Sequence, residues 1–280
     1  MTTLIKIFAF ALLATSIQCN MGNYNNITGT GEVNEEEQSL ENFDEVSFSN
    51  GWDVELVRSY QNRLVAKANE NLLEELEVIN ENGYLKIGTK SDDNIGKADA
   101  KQLTLYFNGE LKLVKASSGV SLFAEEQLTF GDVEITSSSG SQIDLDVKTE
   151  KLICKSSSGS TLFLKISSTD VDASSSSGSR LELNGKSSSV TADSSSGSSL
   201  TLKGYSDSLE ADSSSGSKID AKDHKAINVI ADASSGSSVS VFPMETLDAG
   251  ASSGGSVKYY NKPSVKITKD ESSGGSVSLK

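Results

Sequence analysis

The sequence predicts an all-β chain wound as a right-handed parallel β-helix, a solenoid of about nine coils of 18 to 21 residues each, and two observations carry that reading. The first is a fixed repeat. Ser-Ser-Gly occurs nine times, with its glycine at positions 119, 140, 159, 178, 197, 216, 236, 254 and 274. The second is an alternation of period two inside each repeat. Three and five residues after the glycine stand pairs such as Ile143 and Leu145, Leu162 and Leu164, Leu181 and Leu183, and Leu200 and Leu202. Seven and five residues before it stand pairs such as Leu152 and Cys154, Val190 and Ala192, and Leu209 and Ala211. The intervening positions are mostly Asp, Glu, Lys, Thr or Ser, as a strand with one buried face requires.

Period two excludes helix, and so does the dominance of Val, Ile, Thr, Ser and Gly. Stacked hairpins would need a tight turn after every strand, whereas signals such as Asn184-Gly185 and Lys203-Gly204 come once per repeat. One coil per repeat remains. Nine coils at the inter-strand spacing of about 4.8 Å make a rod of about 43 Å, and the crossover preference of parallel strands sets the right-handed expectation. Small residues around Ser-Ser-Gly imply a coil that is narrow or sharply bent there. The glycine is expected in a backbone conformation closed to other residues, or in a bulge.

The elements before the repeat follow in order. Residues 1–18 hold one cation, Lys6, then an apolar stretch from Ile7 to Ala14, the layout of a secretory signal and too short for a membrane span. Cys19 closes that segment where a lipoprotein carries its lipid, so it is the candidate lipidation site. The expected location is the cell envelope, as an outer-membrane lipoprotein or a secreted protein. Residues 19–42, with Glu35-Glu36-Glu37, read as a flexible acidic tether. Residues 43–110 form a β-rich segment: extended pieces flank Asn50-Gly51, a hairpin is expected at Val78–Ile87 around Asn82-Gly83, and the one helical piece is Leu72–Leu76. The repeat proper occupies residues 111–280.

Composition bounds the function. There are 25 Lys and Arg against 39 Asp and Glu, for a net charge of −14, and loss of the leader with Lys6 makes this −15. Such a surface repels nucleic acid and anionic lipid. With two cysteines, one of them the lipidation candidate, no disulfide framework is available, and Cys154 reads as a small buried apolar residue.

Four stretches resemble one bacterial family: Phe43-Asp44-Glu45-Val46, Trp52-Asp53-Val54-Glu55-Leu56, Asn82-Gly83-Tyr84-Leu85-Lys86-Ile87, and the Ser-Ser-Gly-Ser units after them. In this order they are similar to the putative auto-transporter adhesin, head GIN domain family, over roughly residues 40–280. The resemblance implies a β-helical fold and an envelope location, and brings no defined ligand or catalytic residue.

Three candidate chemistries remain. His224, the sole histidine, is expected in a solvated loop between strands, and no histidine-based triad or zinc cluster can be assembled. Asp193, Asp212 and Asp232 lie four residues before successive glycines, with Asp270 later, so they stack outside the rod as a calcium or ligand stripe. Ser157, Ser176, Ser195 and Ser214, two residues before theirs, make a hydroxyl face, with one of the two serine columns expected outward and the other inward. The reading is a non-catalytic, envelope-anchored structural or adhesin-like protein with a glycan or protein ligand. The alternative is a polysaccharide-active or calcium-dependent glycan-binding β-helix. The last strand, with Val277 and Leu279, is expected to leave an open edge that gives weak, salt-promoted self-association.

Overall fold

The computed structural model describes residues 26–280, so the expected signal segment and the lipidation candidate Cys19 lie outside the described residues. Twenty strands join one continuous sheet that coils on itself. The N-terminal elements are β1 (Val33–Ser39), β2 (Glu45–Phe48), β3 (Asp53–Arg58), β4 (Arg63–Asn69), α1 (Glu70–Glu75), β5 (Leu76–Glu81), β6 (Tyr84–Thr89) and β7 (Lys101–Phe107). Short strands follow: β8 (Leu113–Ala116), β9 (Ser121–Phe123), β10 (Leu128–Thr129) and β11 (Asp132–Ser137). The regular coils are β12 (Gln142–Ser156), β13 (Thr161–Ser175), β14 (Arg180–Ser194), β15 (Ser199–Ser213), β16 (Lys218–Ala233) and β17 (Ser238–Ala251). β18 (Ser256–Tyr259), β19 (Lys266–Glu271) and β20 (Ser276–Leu279) finish the rod.

Each regular coil is one long bent strand in parallel register with the next, so Leu162 faces Leu181, Leu181 faces Leu200, and Leu200 faces Ile219. The coil has two bends. At one, the register skips a residue, as between Thr149 and Lys151 of β12, and this swaps the inward parity from 143, 145 and 147 to 152, 154 and 156. The other bend is Ser-Ser-Gly. Here the serine before the glycine has φ of 48–53° and the glycine 69–79° in all nine coils, two successive left-handed residues as in a type I′ turn. No atom lies within 4 Å of a Cβ built on Gly159, Gly178 or Gly197, so glycine is there for its backbone conformation and not for space. Gly185 and Gly204 are the opposite case. They lie inside β14 and β15, not in turns, and a Cβ on either would overlap a carbonyl oxygen of the preceding coil.

The two columns of outer serines give way to a different inward set. Positions −2 and −1 both stay on the outer side of the bend, while positions −3 and +1 turn inward, as with Ser156 and Ser160 at 2 % and 1 % exposure. Their hydroxyls meet at 3.0 Å. Ser160 Oγ donates to Ser137 O of the preceding coil at 2.8 Å, Ser156 Oγ donates to Arg180 O of the following one at 3.1 Å, and Ser157 N–H donates to Ser160 Oγ. The same pair recurs at Ser137 and Ser141, Ser175 and Ser179, Ser194 and Ser198, and Ser213 and Ser217. Burying hydroxyls is tolerable here because each finds backbone partners in adjacent coils.

The N-terminal segment belongs to the rod. β2 and β3 pair in parallel with β8 and β9, and the two sheets then continue outward through β6 and β5 and through β7, β4 and β1. The hairpin expected around Asn82-Gly83 is present, both residues with positive φ. α1 places Leu72 and Leu73 over the open core as a plug. The tether expectation is corrected for residues 33–39. They form β1, antiparallel to β4, with Glu37 bonded to Arg63 at 3.0 Å. Because β1 is exposed on both faces, it carries no alternation that the sequence could reveal.

The open-edge expectation also changes. Val277 is 6 % exposed while Leu279 is 52 % exposed. The five coils before it have Ala at the inward position of Lys269, and every earlier coil has Ser or Ala at that of Glu271. Val277 N–H donates to Glu271 Oε1 at 2.5 Å, and Lys269 Nζ donates to Val277 O at 3.3 Å. Inward charges of this kind blunt a sheet edge.

The leucine columns are continuous and dry, with Leu162, Leu181 and Leu200 at 0 % exposure and Leu183 at 1 %. Leu183→Ala is expected to destabilise the rod by about 2–5 kcal/mol. Chemical denaturation checks this, and an unchanged midpoint would contradict stacked coils.

Candidate functional surface

The parallel register that aligns the leucines also aligns everything between them. Asp193 of β14 faces Asp212 of β15, which faces Asp232 of β16; Gly250 of β17 and Asp270 of β19 continue the column. Same-charge neighbours at one strand spacing, about 4.8 Å, repel each other. Asp212, in the middle, is pushed up to about 6 by partial burial first and by Asp232, Asp193 and Glu210 after it. Asp193 is raised by burial, then by Asp172 and Glu210. Asp232 is raised by burial, then by Asp248, Glu210 and Asp270. The Asp232 carboxylate leans over Gly250, where a Cβ would overlap its Oδ1.

Beside this column, two residues nearer the bend, runs the hydroxyl column. Ser176, Ser195 and Ser214 line the same open groove of about 550 Å³ as Asp193, Asp212 and Asp232. The two stripes read separately from the sequence are therefore one surface. Ser157 stands in the same column, one coil before the groove. The main-chain groups of these serines are committed to the bend, as with Ser176 N–H donating to Ser156 O at 3.0 Å and Ser179 N–H donating to Ser176 O at 3.1 Å. Among the described residues, no group of three or more His, Cys, Asp or Glu side chains is arranged to hold a metal ion.

The histidine expectation is corrected. His224 lies within β16, not in a loop, and is 4 % exposed. The register of β16 shifts at Lys222-Asp223, and this irregularity turns His224 inward among the coils. Its Nε2 sits 2.9 Å from Ser206 Oγ, while Nδ1 is buried with no hydrogen bond of good geometry among the described residues. Burial lowers its pKa, which keeps the ring neutral. Charged neighbours on both sides in sequence concealed this, and only the spacing of 20 residues from Gly216 to Gly236, one more than the four spacings before it, hinted at it. Cys154 is buried with Sγ 3.5 Å from Asp172 O, and burial drives its thiol pKa upward, as an inert apolar residue requires.

The aspartate column has a pH signature. Asp212 titrates higher in the folded state than in the unfolded chain, so its contribution to stability is complete below pH about 3.8 and is lost as pH rises through about 6. Asp212→Asn is expected to be more stable than the parent at pH 7, with the difference vanishing toward pH 4. Thermal melts of the two proteins across that range test this, and a constant offset would show that folding does not raise the Asp212 pKa.

Comparison with known proteins places the fold. A crystal structure of a putative adhesin from Parabacteroides merdae ATCC 43184 matches with a TM-score of 0.68 at 16% identity, covering 91% of this chain and 99% of that one. That of a putative lipid binding protein from Parabacteroides distasonis ATCC 8503 matches with a TM-score of 0.70 at 21% identity, covering 91% and 100%. A putative adhesin from the same organism matches with a TM-score of 0.66 at 16% identity, covering 91% and 100%. No curated protein matches. The family model described as putative auto-transporter adhesin, head GIN domain, matches residues 42–185 and 164–263. With both stretches of the solenoid matched, this chain belongs to the putative auto-transporter adhesin, head GIN domain family.

Proposed function

We propose that this is an exported, envelope-anchored, non-catalytic surface protein that attaches to its ligand through the groove shared by the aspartate and serine columns. The observation that carries this reading is the regularity of that groove. Carboxylates at Asp193, Asp212 and Asp232 and hydroxyls at Ser176, Ser195 and Ser214 repeat coil by coil on a rigid, open surface. A ligand with repeated cationic or hydroxyl groups, such as an amino-sugar polymer or a basic protein segment, gains many weak contacts there at little conformational cost. Membership of an adhesin-like family supports a surface location. No described helix is long and apolar enough to cross a membrane, and the proposed attachment is a lipid on Cys19.

Two measurements test the reading. Purified protein is applied to immobilised envelope glycans and matrix proteins, with and without calcium, beside Asp193→Asn/Asp212→Asn/Asp232→Asn. Binding weakened at least tenfold in the variant supports the groove, and undiminished binding places the ligand elsewhere. For the anchor, palmitate labelling in a bacterial host is expected to disappear in Cys19→Ser with release into the soluble fraction; a variant that stays membrane-bound to the same extent would contradict lipidation.

A further inference from the structure

The two ends of the rod carry opposite charge, most of it without an ion-pair partner among the described residues. At the N-terminal end the outermost pieces are β1 with its flanks and α1 with β5, residues 32–42 and 70–81. They contain ten glutamates and no lysine or arginine. Arg63 and Lys86, from the strands behind, neutralise Glu37 and Glu77; the remaining glutamates have no ion pair among the described residues. At the C-terminal end, residues 256–280 hold five lysines, Lys258, Lys262, Lys266, Lys269 and Lys280, against Asp270 and Glu271. None of these lysines has an ion-pair partner among the described residues, in a chain whose net charge is −14. Four of the exposed large apolar side chains, Met244, Tyr260, Val265 and Leu279, lie in the last coils.

The ends also correspond strand for strand. One sheet of the rod runs from β1 to β20 and the other from β5 to β19, and among the described residues each of these four strands is paired on one side. A copy stacked on the rod axis would therefore present its β20 and β19 toward β1 and β5 of the next copy.

We infer that the basic C-terminal end of one copy docks on the acidic N-terminal end of a second copy of this chain, head to tail. The contact is heterologous and does not close, so it generates short linear stacks. Glu271 and Lys269 already occupy the edge groups of Val277, which keeps the contact from zipping into a strand ladder along β20. Affinity then rests on charges meeting across the junction. This reverses the salt dependence expected from net charge alone: facing charges within a Debye length, about 10 Å at 0.1 M, outweigh the repulsion spread along the rod, and salt weakens the stack.

Sedimentation velocity of the full chain against concentration, at about 20 mM and 500 mM salt, tests this together with two charge-reversed variants. One is Lys262→Glu/Lys266→Glu and the other Glu36→Lys/Glu81→Lys, all at exposed positions, with circular dichroism melts to confirm that both fold. The parent is expected to associate at low salt and return to monomer at high salt. Each variant alone is expected to remain monomeric, and an equimolar mixture to associate again, because each supplies the charge the other lacks. A parent that is monomeric at low salt, association that salt promotes, variants that associate as the parent does, or a mixture that stays monomeric would each overturn the head-to-tail contact.

Discussion

The bend at Ser-Ser-Gly is the constraint on which the structure depends. Two consecutive residues with positive φ reverse the chain in the space of a hairpin turn, and one of them is serine, for which that region costs about 1–2 kcal/mol. Such strain persists where surrounding bonds over-determine the geometry. The buried serines at −3 and +1 supply those bonds. Through Ser160 Oγ the bend of one coil is held to the main chain of the coil before it, and through Ser156 Oγ to the coil after it. Where the pair is absent, three coils change both positions, Ala116 with Val120, Ala251 with Gly255, and Glu271 with Gly275, while a fourth has Ala233 with Ser237, whose Oγ still donates to Ser213 O. Gly255 and Gly275 sit so close to the preceding coil that a Cβ would overlap its backbone. The corner is thus tied by hydroxyls in the middle of the rod and packed by backbone contact at its C-terminal end.

From a fixed corner follows a fixed register, and from register follows the outer surface. Once Leu181 lies over Leu162, Asp193 lies under Asp212 without any attraction between them. Partial burial first, and the neighbouring carboxylates after it, raise the Asp212 pKa. Leucine burial and serine hydrogen bonds hold the carboxylates together, so the acidic groove exists at a cost in stability at neutral pH.

Much of this was legible in the sequence because a solenoid writes its core as a repeat. The nine glycines, the leucine pairs, the Asn82-Gly83 hairpin and the alignment of Asp193, Asp212 and Asp232 are all local patterns multiplied by a fixed period. The rest depended on contacts that a period cannot show. β1 is exposed on both faces and is held by main-chain pairing to β4, so its glutamates look like a solvated tether. His224 is turned inward by a register shift of β16, against the polarity of its neighbours. Which serines face inward was also hidden, because two left-handed residues in succession reset the alternation at the bend. The opposite charge of the two ends emerges once the sheets are traced from β1 to β20 and from β5 to β19.

The serine corner can be tested by comparing two hydroxyls three residues apart in one coil. Ser179 is buried, and its Oγ donates to Ser156 O at 2.7 Å, while Ser176 stands on the outer side of the same turn. Denaturant unfolding of Ser179→Ala is predicted to show a loss of about 1–3 kcal/mol, from the main-chain and hydroxyl partners left unsatisfied. Ser176→Ala is predicted to fall within about 0.5 kcal/mol of the parent. Equal effects of the two substitutions, or no loss for Ser179→Ala, would contradict the claim that inward serine hydroxyls hold the coils in register.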